Sequence, residues 1–280
     1  MGNEKSIENL FRLGCIISKF IPLKTFQKPS QAIKWAKEKL IDHGYVVQTE
    51  RWQGIPSPDD MWETLNTSFS MFVPHALEEL RDEVRPNLPW ADDHFEERIG
   101  GQPLNPPPSN EWWPFNQKKN VQFKTEEKFS HTYPERLWPK FASDKPNSTM
   151  FGIRYNYGDF GDVIDLLARE PFTRQAFLPL WFPEDTGSVH GERVPCTIGY
   201  HFMRRANYLH IVYYIRSCDY LRHFRDDIYM ACRKVFWILE KLRERNPESW
   251  GEVKPGFFTM HITSLHCFNK EKEVLRQNNK

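Results

Sequence analysis

Long hydrophobic runs are missing from this 280-residue sequence. No apolar stretch approaches the roughly 20 residues that a transmembrane helix requires. The triplet Cys15-Ile16-Ile17 is too short for the hydrophobic region of a signal peptide, and no small-residue cleavage site follows it. We therefore expect a cytoplasmic protein that has no membrane partner.

Cysteine is also scarce. The number of cysteines is odd, their spacing is wide and no Cys-x-x-Cys pair occurs; they are Cys15, Cys196, Cys218, Cys232 and Cys267. This pattern argues against a disulfide framework and against a cysteine-rich zinc site. The spacing of His261, His266 and Cys267 does not suit zinc either. We expect reduced thiols and no bound metal.

Net charge is nearly absent, because 38 Lys and Arg residues face 37 Asp and Glu residues. A protein with a formal net charge of +1 has no overall field that attracts nucleic acid or an anionic membrane. We expect no direct nucleic-acid binding. Aromatic residues are abundant instead, at 15% of the chain with ten tryptophans. Such rings build a core or stack on a planar ligand.

Hydrophobic periodicity predicts an α+β fold. Alternating or buried apolar runs predict strands over residues 62–73, 175–182, 208–217 and 256–262. Spacings of three and four predict helices over residues 29–44, around 163–167 and, as one long amphipathic helix, over 225–245. Ser30 is the predicted N-cap of the first helix. Several long strands with one dominant helix favour α+β over a purely helical or all-β architecture.

The chain is predicted to form an N-terminal extension, residues 1–28, and one catalytic domain, residues 29–280. Eight prolines lie between Pro103 and Pro146. The segment is either a linker between two domains or a set of ordered loops over a site. Linkers seldom carry many aromatic residues, which favours ordered loops; the rings are Trp112, Trp113, Phe115, Tyr133 and Trp138.

Three short segments carry candidate chemistry. Cys196 follows Pro195, which can hold a thiol rigidly at a turn, although a lone cysteine is usually a small buried hydrophobe. Arg216 and Ser217 leave the end of a strand together, and a guanidinium beside a hydroxyl suits a phosphate. The same pair is also explained as a surface arginine followed by a serine in a turn. Asp227 in the first turn of the long helix is, by itself, ordinary capping.

Four motifs in fixed order resemble those of the thymidylate synthase family. They are Pro171 with Arg174 and Trp181, Pro195-Cys196, Tyr214-Ile215-Arg216-Ser217-Cys218-Asp219, and Gly256-Phe257-Phe258 with His266-Cys267-Phe268. The resemblance is good over residues 159–268 and loose over 29–100. It implies a thymidylate synthase-like α+β fold: a large mixed β-sheet packed with a long central helix, and two sheets back to back in a homodimer.

The resemblance also implies a covalent mechanism. Cys196 would be the thiolate that adds to C6 of a pyrimidine nucleotide, so that C5 attacks the one-carbon unit of 5,10-methylenetetrahydrofolate. The implied contacts are Arg216 and Ser217 to the 5′-phosphate, Arg174 to the phosphate of the neighbouring subunit, Arg51 to a phosphate, His266 to the sugar, and Asp219 and Trp113 to the folate. His131, Tyr133 and Arg136 would line the pocket from the aromatic loop.

One departure from the family concerns the base. Where thymidylate synthases carry the Asn that reads uracil, this chain has Asp227 in the run Phe224-Arg225-Asp226-Asp227. A protonated carboxyl could give its proton to N3 of cytosine and accept from the 4-amino group. The run resembles that of the cytidylate hydroxymethylases of the family. Cytidine nucleotides, dCMP or CMP, are therefore the expected substrates.

The C-terminal region is a second departure. Only 14 polar-rich residues follow His266, whereas thymidylate synthases continue with residues that close over the folate. An open site would let water add to the exocyclic methylene, which gives a hydroxymethyl product and unoxidised tetrahydrofolate. The water-activating acid is expected among Asp93, Glu96 and Glu97, which also fit a solvated helix face.

The resemblance, with these two departures, thus implies a folate-dependent cytidylate 5-hydroxymethyltransferase of nucleotide biosynthesis. Two alternatives remain open: a thymidylate synthase-like methylase that acts on dUMP or dCMP, and a catalytically silent relative that only binds nucleotide. The retained Cys196, together with Asp219, argues against the silent relative, because a pure binder needs no nucleophile.

Overall fold

The computed structural model describes residues 23–52, 55–56, 59–115, 124–125, 128–139, 158–186 and 194–277. Most of the predicted N-terminal extension, residues 1–22, lies outside the described residues. Among the described residues, none of the helices has the length and apolarity that crossing a membrane requires.

The strands are β1 (Lys24–Phe26), β2 (Tyr45–Val47), β3 (Arg51–Trp52), β4 (Ile55–Pro56), β5 (Met61–Phe72), β6 (Lys124–Thr125), β7 (Lys128–Phe129), β8 (Phe177–Pro179), β9 (Thr197–Arg205), β10 (Tyr208–Asp219) and β11 (Lys254–Phe268). The helices are α1 (Pro29–His43), α2 (Leu77–Val84), α3 (Trp90–Ile99), α4 (Tyr133–Leu137), α5 (Phe160–Arg169), α6 (Phe224–Arg245), α7 (Pro247–Trp250) and α8 (Lys272–Gln277). Short 3-10 helices cover Pro108–Trp112, Pro183–Thr186 and Asn269–Glu271.

Within the described part of the chain, seven strands form one mixed sheet. Their order is β1-β5-β11-β10-β9-β8, and β2 also pairs with β5. β10 and β11 run parallel, whereas β5 with β11 and β9 with β10 are antiparallel. The predicted α+β class with a mixed sheet is confirmed.

Helix α6 connects the parallel strands β10 and β11 and packs against the sheet. The apolar residues that predicted it are fully buried; they are Phe224, Ile228, Ala231, Val235, Ile238 and Leu242. Burying a side chain of this size stabilises a fold by about 1.5–3 kcal/mol. The long amphipathic helix is therefore confirmed, and it fixes one face of the sheet as the core.

The opposite face of β9, β10 and β11 carries partly exposed aromatic and histidine side chains. The Tyr214 ring stacks on His261 with centroids 5.2 Å apart and lies 6.2 Å from the ring of Phe177. Phe177 itself is 39% exposed. The second face of these strands thus carries aromatic and histidine rings that stay in partial contact with solvent.

The start of α1 differs from the prediction. Lys28, not Ser30, is the N-cap residue, and the helix begins at Pro29, which suits the first helical position because proline has no N–H to leave unpaired. The Ser30 hydroxyl donates to Glu83 of α2 instead. Ser30 therefore makes a tertiary hydrogen bond to another helix and does not cap its own helix, contrary to the prediction.

The strand predicted over residues 175–182 is limited to Phe177–Pro179. The N–H groups of Leu180 and Trp181 both donate to the Ile198 carbonyl, at 2.9 and 3.0 Å, so regular pairing ends there. β10 and β11 are longer than predicted, because their ladder continues to the pair Asp219 and His266.

Candidate functional site

The polar residues predicted on β10 and β11 lie at one edge of the sheet. Because the two strands are parallel, their carboxyl ends meet, and the register pairs Ser217 with Ser264 and Asp219 with His266. β5 flanks β11 and pairs Glu63 with His266. The register of three strands therefore gathers five polar side chains that are far apart in the sequence.

Cys196 reaches the same edge from the segment before β9. The N–H of Arg216 donates to the Cys196 carbonyl at 2.9 Å. The Arg216 guanidinium donates from Nε to the Pro195 carbonyl at 2.9 Å and from Nη2 to the Val194 carbonyl at 3.1 Å. Arg216 thus holds the segment that carries Cys196, whose thiol is reduced and half-buried.

A cavity of about 450 Å³ opens at this edge. Its wall contains nine residues that the sequence singled out; they are Cys196, Arg216, Ser217, Asp219, Asp227, His266, Tyr133, His131 and Trp113. The structure brings these residues together from β10, β11, α6, α4 and the loops. Further lining residues were not predicted; they include Thr49, Glu63, Trp90, His94, Arg98, His223 and Ser264.

Asp227 is a partly buried carboxyl in the first turn of α6. Desolvation raises its pKa to about 7, and this effect exceeds the opposing attraction of Arg98. The repulsion of Asp226 adds to the increase. Near neutral pH a large fraction of Asp227 therefore carries a proton, so this side chain can donate one hydrogen bond and accept another.

Asp219 is buried and accepts three hydrogen bonds within the protein, which leave Oδ2 one acceptor site for a ligand. Its Oδ1 accepts from the N–H groups of Leu221 and Arg222 at 2.9 and 3.0 Å, and its Oδ2 accepts from the Arg222 guanidinium at 3.0 Å. The same guanidinium donates to both oxygens of Glu271 at 2.7 and 2.6 Å. Arg222 therefore links Asp219 to the segment that follows β11.

His266 is buried beside Asp219, and its Nδ1 lies 3.2 Å from the Ser264 hydroxyl. Desolvation lowers its pKa, although Asp219 and Glu63 oppose the decrease. Ser264 in turn donates to Glu63. The His266 imidazole is therefore neutral and oriented, which suits a hydrogen bond to a ligand hydroxyl.

An aromatic wall faces these strands. The Trp113 ring stacks on the His223 ring with centroids 5.2 Å apart and an interplanar angle of 10°. Trp90 lies 6.3 Å from Trp113. The Nε1–H of Trp113 is buried without a hydrogen-bond partner among the described residues. A planar ligand with an acceptor atom would satisfy that donor, and this fits the folate predicted for this position.

A chain of hydrogen bonds runs from Arg98 and His94 in the cavity wall to Ser109 and Glu97. Arg98 Nη2 donates to His94 Nε2 at 3.0 Å, so Nδ1 carries the hydrogen and donates to the Ser109 hydroxyl at 2.9 Å. Ser109 donates to Glu97. Desolvation and the charge of Arg98 lower the pKa of His94 to about 4, so the imidazole between the two charged ends is neutral.

Sequence reasoning named Glu97 but missed its two hydrogen-bond partners, His94 and Ser109. Trp90, His94 and Arg98 recur every four residues along one face of α3, which is the signal that could have identified this face. Ser109 lies in a proline-rich segment and has no such pattern. Although desolvation acts against it, hydrogen bonds from His94 and Ser109 lower the pKa of Glu97. Glu97 is thus an ionised carboxylate that contacts His94, and His94 lines the cavity.

The other two candidate acids are placed differently. Asp93 accepts from the Trp112 indole at 3.1 Å. Glu96 is exposed and pairs with Arg233 at 2.7 Å. Glu97 is therefore the candidate that hydrogen bonds connect to residues of the cavity wall.

Tyr133 contacts the segment that carries Cys196. The Thr197 hydroxyl donates to the Tyr133 oxygen at 3.2 Å and lies 2.9 Å from the Tyr213 hydroxyl. Desolvation raises the pKa of Tyr133 to about 12, so its hydroxyl stays protonated. The Arg98 guanidinium lies 4.2 Å from the centre of the Tyr133 ring.

Two predicted arginines, Arg136 and Arg174, are not part of this wall. Arg136 was expected to line the pocket, but it is buried in a two-point ion pair with Asp185 at 2.6 and 2.8 Å. A buried guanidinium needs such a partner, and Asp185 provides it away from the cavity. Arg174 is exposed, and its carbonyl lies 3.0 Å from His201 Nε2. The Arg51 side chain lies outside the described part of the chain.

Neither a family model nor a curated protein matches this chain. Within the described residues, no group of three or more His, Cys, Asp or Glu side chains is placed to hold a metal ion. The chemistry of the site must therefore be argued from its own geometry.

Proposed function

We propose that this protein is a cytidylate 5-hydroxymethyltransferase with a thymidylate synthase-like fold, which converts dCMP or CMP with methylenetetrahydrofolate. One observation carries the proposal: Cys196 and Asp227 lie in the wall of the same cavity, and the Asp227 pKa of about 7 leaves that carboxyl partly protonated. A thiol nucleophile beside a proton-bearing carboxyl suits attack on a pyrimidine whose ring nitrogen accepts that proton.

The reaction balances with one water. The Cys196 thiolate forms a bond to C6, and C5 then attacks the one-carbon unit that the folate supplies. The bond from that carbon to the folate nitrogen breaks, and the C5 proton leaves. Water adds to the exocyclic methylene, and release of Cys196 restores the ring. The products are the 5-hydroxymethyl nucleotide and tetrahydrofolate, so neither an oxidant nor a reductant is needed.

Asp227 would select the base. Its proton would go to N3 of cytosine, and its second oxygen would accept from the 4-amino group. A protonated carboxyl is costly to maintain at neutral pH in water, where the pKa of Asp is about 3.9. Desolvation in the cavity wall raises the pKa of Asp227 to about 7, so the carboxyl is partly protonated at neutral pH, which supports this role.

Arg216 and Ser217 would hold the nucleotide phosphate. Arg216 lines the cavity and is already fixed through Nε and Nη2, so binding a phosphate through Nη1 would cost little further side-chain freedom. Ser217 adjoins it on β10 and lines the same cavity. A fixed guanidinium beside a hydroxyl binds a phosphate by charge and by geometry.

The folate would lie against the aromatic wall. The Trp113 ring offers a face and its unsatisfied indole N–H offers a donor. Asp219 would accept from the polar edge of the pterin, with Arg222 holding its carboxylate in place. Glu97 would take the proton of the attacking water through His94 or Ser109, which are its hydrogen-bond partners.

A homodimer would bury the aromatic face of the sheet. Phe177, Tyr214 and His261 lie side by side on that face and stay partly exposed in the single chain. Arg174 precedes β8 at the end of the same sheet and is exposed rather than part of its own cavity. Two sheets packed back to back would place each Arg174 near the other subunit, as sharing of a phosphate site requires.

The test is direct. The protein is incubated with methylenetetrahydrofolate and, separately, with dCMP, CMP and dUMP, and products are identified by mass spectrometry. We expect a cytidine product heavier by one CH2O unit. A product heavier by one CH2 unit would make the protein a methylase, and binding without any product would make it a silent relative.

A further inference from the structure

A neutral carboxyl can pair with either of two bases. This inference rests on the proposed function, in which Asp227 reads the edge of a pyrimidine. With the proton on the oxygen that faces N3, the carboxyl matches cytosine; with the proton on its other oxygen, it matches uracil. Protonation alone therefore does not select cytosine, and a neighbouring group must distinguish the two oxygens.

Cys218 makes such an unequal contact. It follows Ser217 on β10 and is 1% exposed, and its sulfur lies 3.6 Å from Oδ2 of Asp227. Desolvation and the charge of Asp227 raise the pKa of the Cys218 thiol well above its ordinary value. The sulfur therefore keeps its hydrogen over the physiological pH range and acts as a donor to Oδ2.

We propose that Cys218 is a positioning residue for base selection: its S–H group keeps Oδ2 of Asp227 as an acceptor, so the carboxyl proton resides on Oδ1. Oδ1 then gives its proton to N3 of cytosine, and Oδ2 uses its second lone pair for the 4-amino group. Uracil would require the proton on Oδ2, where the carboxyl is a poorer acceptor for the thiol. The hydrogen bond from Cys218 thus disfavours uracil.

Other titratable groups surround Asp227 from four further directions. Arg98 of α3 and Lys234 of α6 favour its ionised form, whereas Asp226 of α6 opposes it. Three tyrosines interact with its charge from α4, β9 and β10; they are Tyr133, Tyr200 and Tyr213. These fields act on the charge of the whole carboxyl. The thiol hydrogen bond is the contact that singles out Oδ2.

The first test replaces the donor and then restores it. Cys218→Val removes the S–H group with little change in volume, and Cys218→Ser keeps a donor. We expect the Val variant to lower the ratio of kcat/KM for cytosine over uracil nucleotides by about three- to tenfold, the effect of one neutral hydrogen bond. The Ser variant should retain the wild-type ratio. Equal ratios in all three proteins would overturn the inference.

The second test needs no turnover. Infrared difference spectra between each protein and its Asp227→Asn counterpart isolate the carboxyl C=O band of Asp227 in the ligand-free protein. Loss of the hydrogen bond to Oδ2 in Cys218→Val should move that band to higher frequency, and Cys218→Ser should not. Cys232→Val is the matched control, because Cys232 is a buried thiol on α6 and should leave the band unchanged.

The two tests separate the possible failures. A band shift without any nucleotide turnover would leave the contact between Cys218 and Asp227 standing and reject the proposed function. If the protein proves to be a cytosine-specific enzyme but Cys218→Val leaves the Asp227 band unchanged, only the role of Cys218 is rejected. If the Val variant does not fold, as judged by its thermal transition, Cys218→Ala takes its place with the same expected band shift.

Discussion

The two walls of the cavity are held by different means. The strand wall, formed by β10, β11 and the first turn of α6, is fixed by backbone ladders such as the pairs Ser217–Ser264 and Asp219–His266. The loop wall, formed by α3, the 3-10 helix Pro108–Trp112 and the start of α4, is fixed by side chains. Side-chain changes in the strand wall should therefore alter chemistry with little change in shape, whereas those in the loop wall should alter both.

Side-chain hydrogen bonds to backbone carbonyls hold the loop wall. Trp90 Nε1 donates to the Ser109 carbonyl at 3.0 Å, and the Thr132 hydroxyl donates to the Leu104 carbonyl at 2.6 Å. Asn105 Nδ2 donates to the Phe129 carbonyl at 2.8 Å. Each bond ties together segments that no β-ladder joins, so each tolerates replacement less well than a polar residue at the end of a strand.

Cys196→Ser should give the largest effect on the strand side. An alkoxide is far harder to form than a thiolate at neutral pH, so we expect kcat/KM to fall by about 10⁴-fold or more. Because the backbone contacts of Cys196 remain, the thermal transition and nucleotide binding should stay close to wild type. Product formation at the wild-type rate would reject covalent catalysis.

Glu97→Gln should give the next largest effect, and it tests the loop side. Loss of the carboxylate that accepts from Ser109 should lower kcat by about 10²- to 10³-fold, the usual range for a general base. The matched control is Glu96→Gln on the same helix, whose exposed carboxylate pairs with Arg233 and whose loss should change kcat by less than about twofold. The Glu97 variant should also lower the thermal transition, since the loop wall loses an acceptor. Equal kinetics in the two variants would contradict the assignment.

Asp227→Asn should shift the choice of base rather than stop the reaction. An amide can turn to match uracil, so the ratio of kcat/KM for cytosine over uracil nucleotides should fall by about 10²-fold. In the wild type the protonated carboxyl is lost as the pH rises through about 7, the pKa of Asp227. The wild-type ratio should therefore decrease from about pH 6 to about pH 8, and the variant should show no such trend.

The same substitution should give a smaller effect on stability. The folded pKa of Asp227 is about 7 and the unfolded value is about 3.9, so the folded state binds more protons between these two pH values. The free energy of unfolding should then fall as the pH rises through this window, by about 2 kcal/mol after allowance for partial exposure. Denaturant titrations at both ends of the window should show the decrease in the wild type and little of it in Asp227→Asn.

The elements of the strand wall were predictable because they follow regular periods, whereas the roles of its residues were expected from the resemblance to the thymidylate synthase family. The alternation of β10 and the three-four spacing of α6 place Arg216, Ser217, Asp219 and Asp227 at neighbouring ends of two elements. The residues of the loop wall follow no period: Ser109 lies in a proline-rich segment, and its contact with Glu97 depends on how that segment folds back. Hydrophobic periodicity predicts where strands and helices lie, but it does not predict the path of an irregular loop.

Arg136 illustrates the same limit. It lies in the run His131-Thr132-Tyr133-Pro134-Glu135-Arg136, whose polar and aromatic side chains are all chemically suited to contact a bound ligand. In the structure Tyr133 enters the cavity wall, while Arg136 on the next turn of α4 pairs with Asp185. Residues three apart in a regular helix lie near the same face, so their spacing does not distinguish Tyr133 from Arg136, and a helix of five residues shows too little periodicity to predict which side chains line the cavity.

The parallel pairing of β10 with β11 has a consequence for how the cavity forms. The chain crosses over through α6 between these two strands, and β5 pairs with β11 across most of the chain. Contacts between distant segments form slowly, because the closure of long loops comes before the gain from pairing. We therefore expect the cavity at the ends of these strands to form late in folding. After dilution from denaturant, we expect the helical circular-dichroism signal to recover first and nucleotide turnover to recover later. The rate at which turnover recovers would then report the final step of folding.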